Sequence, residues 1–155
     1  MAARPWMPAA VVTVVLAADR LTKNRVREAL SPGESLPVVP DVLHLTHIEN
    51  TGAAFGMLRD ATPFLSVFSA LSVVALSAYL WIRSRGGRES GSSYGWTLVL
   101  AGALGNLYDR LAYGHVVDMI DLRVWPVFNI ADMSICCGVA LVLGSTLKPS
   151  RPGRV

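Results

Sequence analysis

Charged residues are scarce in this sequence, and their scarcity excludes the commonest class of protein. Asp, Glu, Lys and Arg make up 16% of the 155 residues, whereas hydrophobic residues make up 52%. A soluble globular domain usually carries about 25% charged residues. The hydrophobic residues are also gathered into long runs, and the mean hydropathy is +0.44. This composition indicates a polytopic membrane protein rather than a soluble one.

Cysteine and histidine are scarce as well. Cys136 and Cys137 are adjacent within the last apolar run, so we expect no disulfide framework and interpret both as small packing residues. His44 and His47 have the spacing H-x-x-H, but on an alternating strand they would face opposite sides, and no third ligand is evident. We therefore predict no metal site.

The net charge of +3 could suggest a nucleic-acid partner. The basic residues stand beside the apolar runs, however, and form no surface on which aromatic and basic side chains interleave. Positive loops next to membrane spans explain them better. We therefore expect no nucleic acid among the partners.

Four apolar runs predict four transmembrane helices. The second run, Pro63 to Ile82, is uninterrupted over 20 residues, which matches the thickness of a bilayer core at about 1.5 Å per residue. The predicted spans are residues 6–25, 63–82, 94–110 and 128–147 of a single integral membrane domain, residues 1–155.

The segment from about residue 31 to residue 57 has a different pattern. Pro and Gly punctuate it, and apolar and polar residues alternate within Leu43–Ile48, which indicates short strands. We therefore predict an all-α polytopic membrane protein with four transmembrane helices and a small β-rich element between helices 1 and 2.

The polar clusters of the chain fall at one membrane face. Four spans place both termini on the same side, and we call the opposite side, reached after the first span, face A. The clusters around Asp19, Asn50, Asn106, Asp118 and Asp132 all come at face A. Ionisable residues beside or within a span are costly and mark functional sites by default, so the sequence predicts a site at this face.

Asp118 and Asp132 are the residues with the clearest chemistry. They are 14 residues apart, and Trp125–Pro126 breaks the link between them, so we expect the chain to turn back and bring both carboxylates to adjacent helix ends. Two such carboxylates titrate as a unit, and one can activate water while the other, protonated, polarises a carbonyl. The alternative is that both are interfacial residues, with Asp132 capping the fourth helix.

The remaining polar blocks each allow two interpretations. Arg110 could bind the backbone carbonyls of an extended peptide, or it could snorkel at the interface with Asp109 as its neutralising partner. Asn50–Gly56 could pass close to a ligand while Phe55 covers a pocket, or it could be an ordinary glycine-rich turn. Asp19–Lys23 could belong to the site or be a charged helix end.

Five of these blocks, taken in order, resemble the lipoprotein signal peptidases, the type II signal peptidases of bacteria. The matching blocks are Asp19–Lys23 (DRLTK), Asn50–Gly56 (NTGAAFG), Gly105–Arg110 (GNLYDR), Gly114–Asp118 (GHVVD) and Phe128–Asp132 (FNIAD). Each block alone is weak, but five in order make a specific match that covers nearly the whole chain.

The resemblance implies an intramembrane aspartic endopeptidase with Asp118 and Asp132 as the catalytic dyad and without a cofactor. It implies cleavage of diacylglyceryl-modified prolipoproteins before the lipidated cysteine. The residues implied to bind the substrate or to support the dyad are Asn106, Arg110, Asn129, Asn50, Gly52, Asp19 and Lys23. The implied fold adds an extracytoplasmic β-cradle and a short peripheral helix to four transmembrane helices.

The resemblance also implies a monomer in the bacterial cytoplasmic (inner) membrane, with face A extracytoplasmic and both termini cytoplasmic. The expected partners are a diacylglyceryl prolipoprotein and membrane lipid. Two other classes compete with this interpretation: a small transporter or channel whose acids form a cation path, and a non-catalytic assembly factor that binds lipoproteins. The middle of the second span, residues 67–78, has only serines as polar residues, which disfavours a transporter.

Overall fold

The computed structural model describes residues 7–52, 62–86 and 91–147. Its elements are four helices and one three-stranded antiparallel sheet of order β1-β2-β3. The helices are α1 (Met7–Ala29), α2 (Thr62–Arg85), α3 (Gly91–Tyr113) and α4 (Ile130–Thr146), and the strands are β1 (Ser35–Val39), β2 (Leu43–Asn50) and β3 (Val116–Asp121). The four predicted helices and the predicted β-rich element between α1 and α2 are therefore confirmed. No peripheral helix occurs within the described ranges.

Strand β3 is the main departure from the sequence-based prediction. It lies between α3 and α4, pairs with β2 and carries Asp118. The prediction that both carboxylates sit at helix ends is therefore wrong for Asp118. The alternating pattern of a half-exposed strand is missing here, because five of the six residues of β3 are buried and apolar residues occupy both faces.

The sheet is anchored to α1 by a small apolar core. Val117 and Met119 of β3 are buried against Val26 and Leu30 of α1. Because successive side chains of a strand point to opposite faces, Asp118 between them points away from this core. The packing of β3 on α1 thus sets the direction of the Asp118 carboxylate.

Helices α3 and α4 pack with their backbones in close contact. A Cβ atom added to Gly138 of α4 would lie 2.5 Å from the carbonyl oxygen of Gly95 and 2.9 Å from the backbone nitrogen of Val99. A Cβ atom at Gly102 of α3 would collide with the carbonyl oxygen of Ala131 in the first turn of α4. Small residues permit such a close approach, and it holds the start of α4 against α3.

By length and composition, α2 alone among the described helices qualifies to cross a membrane, with a mean hydropathy of 2.0 over its best 18-residue window. None of its residues is buried, and large apolar side chains such as Phe64, Val67 and Leu71 are exposed. Helix α4 is apolar but has 17 residues. The four-span topology and the single integral membrane domain stay predictions.

We predict that Gly138→Val destabilises the protein by about 1–3 kcal/mol, because the new side chain must push α4 away from α3. The matched control on the same helix is Gly144→Val, since no atom lies within 4 Å of a Cβ added at Gly144. Thermal unfolding of both variants in detergent measures the effect. Equal losses of stability would contradict the close contact between the helices.

Candidate active site

A cavity of about 880 Å³ opens between the sheet, α3 and α4, and both Asp118 and Asp132 line it. Its other polar lining residues include Asn50, Asn106 and Arg110, and Gly52 also borders it. Its apolar walls are formed by Ile48, Val116, Trp125, Pro126, Val127, Phe128, Met133 and Ile135. The two carboxylates therefore face one shared space with a mostly apolar boundary.

Asp118 is held between two carboxamides. The Asn129 side chain donates from Nδ2 to Oδ1 at 2.7 Å, and the Asn50 side chain donates from Nδ2 to Oδ2 at 2.9 Å. Asn50 reaches it because Ile48 is paired with Asp118 across the sheet, and Asn50 lies two residues further on the same face of β2. The central strand thus supplies one donor and the start of α4 the other.

Asp132 occupies the first turn of α4, where Asn129 is the N-cap. The backbone N–H of Asp132 donates to Asn129 Oδ1 at 2.9 Å, and the backbone N–H of Asn129 donates to Asp132 Oδ2 at 3.3 Å, which completes a capping box. The other carboxylate oxygen accepts from Asn106 Nδ2 at 2.8 Å. Asp132 therefore caps its helix and also lines the cavity. A capping role and a place in the site do not exclude each other.

Asn129 connects the two acids. It is fully buried, and it donates to Asp118 from its side chain and to Asp132 from its backbone. One residue therefore fixes the relative position of a strand carboxylate and a helix carboxylate, although it does not itself line the cavity.

Lys23 and Asp19 lie behind the cavity rather than in its wall. Lys23 Nζ is 2.8 Å from Asp19 Oδ2 and 2.7 Å from Asp109 Oδ2, and it donates to Asn106 Oδ1 at 3.2 Å. Asp19 Oδ1 accepts from the backbone N–H of Ala131 at 3.1 Å. These contacts tie α1 to α3 and to the first turn of α4.

Asp109 is fully buried and neutralised by cations of α1, not by Arg110 as one of the alternatives expected. Besides Lys23, Arg20 lies 2.8 Å and Arg27 lies 3.5 Å from its Oδ1. The sequence-based interpretation missed Arg20 and Arg27. Their spacing with Lys23, three and then four residues apart, puts all three on one helix face and is the signal that could have found them.

Arg110 lines the cavity, and its Nε has no hydrogen-bond partner among the residues that the structure describes. An arginine carries five N–H donors and no acceptor, so its natural ligands are carbonyl and carboxylate oxygens. Its guanidinium is therefore suited to bind an oxygen of a molecule that enters the cavity.

Burial raises the pKa of Asp118 to about 7, and repulsion by Asp132 adds to this effect. The hydrogen bonds from Asn50 and Asn129, and the charge of Lys23, act in the opposite direction. Asp118 is 3% exposed. Its carboxyl group therefore holds a proton up to near-neutral pH.

The other sequence predictions concern Gly52, Phe55, the histidines and a metal site. The backbone N–H of Gly52 donates to Asn50 Oδ1 at 2.9 Å, so the start of the Asn50–Gly56 block does belong to the cavity. Phe55 and its expected role as a cover lie outside the described residues. His47 is buried and donates from Nδ1 to Leu30 O at 2.8 Å. Within the described ranges, no three His, Cys, Asp or Glu residues are grouped to hold a metal.

The sequence of this chain matches a known protein family. Residues 11–148 match the family model described as signal peptidase (SPase) II. The lipoprotein signal peptidase of Moorella thermoacetica is 44% identical over 138 residues, which cover 88% of this chain and 90% of that protein. The lipoprotein signal peptidase of Pelotomaculum thermopropionicum is 45% identical over 141 residues, which cover 90% and 91%.

The fold also has a close match among solved structures. A bacterial membrane enzyme solved by the in meso method superimposes with a TM-score of 0.86 at 30% sequence identity, covering 97% of this chain and 96% of that one. The helices and the three-stranded sheet therefore recur together in a membrane enzyme.

The raised pKa of Asp118 predicts a pH-dependent difference in stability between the parent protein and Asp118→Asn. Between the ordinary value of 3.8 and about 7, folded Asp118 keeps a proton that the unfolded chain has lost. This stabilises the parent at low pH, and the stabilisation is lost as the pH rises through 7. Relative to the parent, Asp118→Asn should gain about 2–3 kcal/mol between pH 5 and pH 8. Melting curves at both values test this, and a constant difference would contradict it.

Proposed function

The chain belongs to the signal peptidase II family and is thus a peptidase, and on this premise we propose that it removes signal peptides from diacylglyceryl-modified prolipoproteins, cleaving before the lipidated cysteine. The observation that carries the proposal is the pair of carboxylates, Asp118 and Asp132, in one cavity and linked by Asn129. Such a pair can activate water without a covalent intermediate.

The proposed reaction uses the two acids in different protonation states. Asp132, ionised, accepts a proton from water as the water oxygen attacks the scissile carbonyl carbon. Asp118, protonated, donates its proton to the carbonyl oxygen, which gives a neutral tetrahedral diol. As the C–N bond breaks, Asp132 returns its proton to the leaving nitrogen, and the diol hydroxyl returns a proton to Asp118. The raised pKa of Asp118 supports this assignment.

The other cavity residues fit a lipid-modified peptide. Arg110 is suited to bind backbone carbonyls on either side of the scissile bond. Met133 and Ile135 extend the apolar wall along α4 beyond Asp132, where a lipid-bearing residue could lie. The apolar side chains exposed on α2 support a location in a membrane. We propose that this is the bacterial inner membrane, with the site at the extracytoplasmic face. We propose that the enzyme acts there as a multi-pass monomer with both termini cytoplasmic.

Replacement of either acid should strongly reduce cleavage. We expect Asp118→Asn and Asp132→Asn to lower turnover by about 10²–10⁴-fold, because each removes one partner in proton transfer. The assay is the mobility shift of a diacylglyceryl-modified precursor incubated with purified enzyme in detergent.

The matched control is Asp121→Asn on the same strand as Asp118. Asp121 accepts hydrogen bonds from Arg123 and Thr46 and does not line the cavity, so this variant should cleave like the parent. Turnover close to the parent's in Asp118→Asn or Asp132→Asn would refute the dyad. A parent protein that binds the precursor without cutting it would favour the assembly factor.

The assignment of the proton to Asp118 predicts the shape of the pH profile. Since Asp118 must be protonated, kcat/KM should fall as the pH rises through about 7. The kcat/KM of Asp121→Asn should fall over the same pH range as that of the parent. A rate that instead climbs through this range would overturn the assignment.

A further inference from the structure

The three asparagines around the two catalytic acids all present the same half of their carboxamide to a carboxylate. Asn50 and Asn129 donate from Nδ2 to Asp118, and Asn106 donates from Nδ2 to Asp132. A carboxamide turned by half a rotation would present its oxygen instead, and that oxygen would repel any carboxyl oxygen that carries no proton. Each amide therefore needs a neighbour that fixes its orientation.

Two of these neighbours belong to the backbone. The N–H of Gly52 donates to Asn50 Oδ1, and the N–H of Asp132 donates to Asn129 Oδ1, both at 2.9 Å. A backbone N–H is a donor and never an acceptor, so each one holds the amide oxygen and leaves the NH₂ group for the acid. These two orientations follow from the chain path alone.

Asn106 is fixed differently, by a side chain of another helix. Its Oδ1 accepts from Lys23 Nζ at 3.2 Å. Asn129 Nδ2 uses one N–H for Asp118 and donates the other to this same oxygen at 3.2 Å, so Asn106 Oδ1 has two donors, of which Lys23 is the charged one. An ammonium carries three donors and no acceptor, so it cannot face the NH₂ group of a rotated amide.

Lys23 has three polar partners, two in ion pairs and one in a hydrogen bond. Nζ meets Asp19, Asp109 and Asn106, and the side chain is 0% exposed. The two carboxylates compensate the charge that burial would otherwise penalise. A purely structural ion pair would need Asp19 and Asp109 but would not need the third contact, which points at the site.

We propose that Lys23 is a positioning residue for the hydrolysis, because its ammonium fixes the Asn106 carboxamide so that its NH₂ group meets Asp132. The inference rests on the proposed function and deepens it. Lys23 does not line the cavity. Its loss should therefore lower kcat and leave KM nearly unchanged.

The loss of Lys23 should also move the pH profile. A rotated Asn106 would present its oxygen to Asp132, a contact that an ionised carboxylate opposes. The positive charge of Lys23 also lowers the pKa of Asp118, so its removal raises that pKa. Because activity falls as Asp118 ionises, the alkaline limb should shift to higher pH.

The test is Lys23→Met in an Asp19→Asn background. Removing one cation together with one anion keeps the buried charges balanced, and Asn at position 19 keeps an oxygen for the backbone N–H of Ala131. Relative to Asp19→Asn alone, we expect kcat to fall about 100-fold, as for a displaced catalytic group, with KM nearly constant. The alkaline limb should move upward. Lys23→Arg in the same background keeps the charge and a donor, and it should restore most of the turnover and the original limb.

The matched control is Arg27→Gln, which removes another cation from Asp109 but none from Asn106. It should lower the melting temperature and leave kcat and the limb unchanged. Equal kcat in Lys23→Met and its background, or a lower kcat with an unmoved limb, would overturn the inference. If Lys23→Met does not accumulate, Lys23→Gln takes its place with the same expected limb shift, and an unmoved limb counts against the inference.

The same experiment separates the two proposals. A parent protein that cuts no precursor refutes the proposed function. A background protein and Arg27→Gln that both cut, together with a Lys23→Met variant that cuts equally well, refute only the role of Lys23.

Discussion

The structure depends on one electrostatic constraint: two carboxylates must share a cavity with largely apolar walls. Burial and repulsion by Asp132 oppose the ionisation of Asp118, and nearby donors together with the charge of Lys23 offset part of this cost. Three elements around the cavity supply such a donor: β2 supplies Asn50, α3 supplies Asn106, and the start of α4 supplies Asn129. The compensation is only partial, because the pKa of Asp118 is still raised to about 7. A stronger set of donors would ionise Asp118 and remove the proton that the proposed reaction needs.

The fold meets this constraint through short contacts between residues that are far apart in sequence. Glycines let α4 touch α3, which brings the first turn of α4 within reach of Asn106. An apolar core between β3 and α1 aims Asp118 at the cavity. Asp19 and Lys23 then join α1 to both α3 and α4 through buried polar contacts. The site is thus the meeting point of three helices and the sheet, and each brings one part of it.

The two acids and the longest apolar helix could be predicted from single residues and their neighbours in the sequence. Asp118 and Asp132 stand out because acids beside apolar runs are costly, and Pro63–Ile82 shows a helix by length alone. Strand β3 escaped prediction because its short apolar run lacks a period. The contact between Lys23 and Asn106 joins residues 83 positions apart, and no local pattern encodes such a pairing. The orientation of the Asn106 carboxamide depends on this long-range contact, so it is visible only in the folded chain.

The capping box of α4 has a consequence for how the enzyme would lose activity. Asp132 lies in the first turn of its helix, and helix ends open locally far more easily than whole domains unfold. Fraying of that single turn would withdraw Asp132 and Asn129 together while the remainder of the bundle stays folded. Heat inactivation would then be reversible and would begin below the temperature of global melting. The hydrogen bond from the backbone N–H of Ala131 to Asp19 Oδ1 holds this turn in place. The temperature at which activity is lost would therefore depend on a residue of α1.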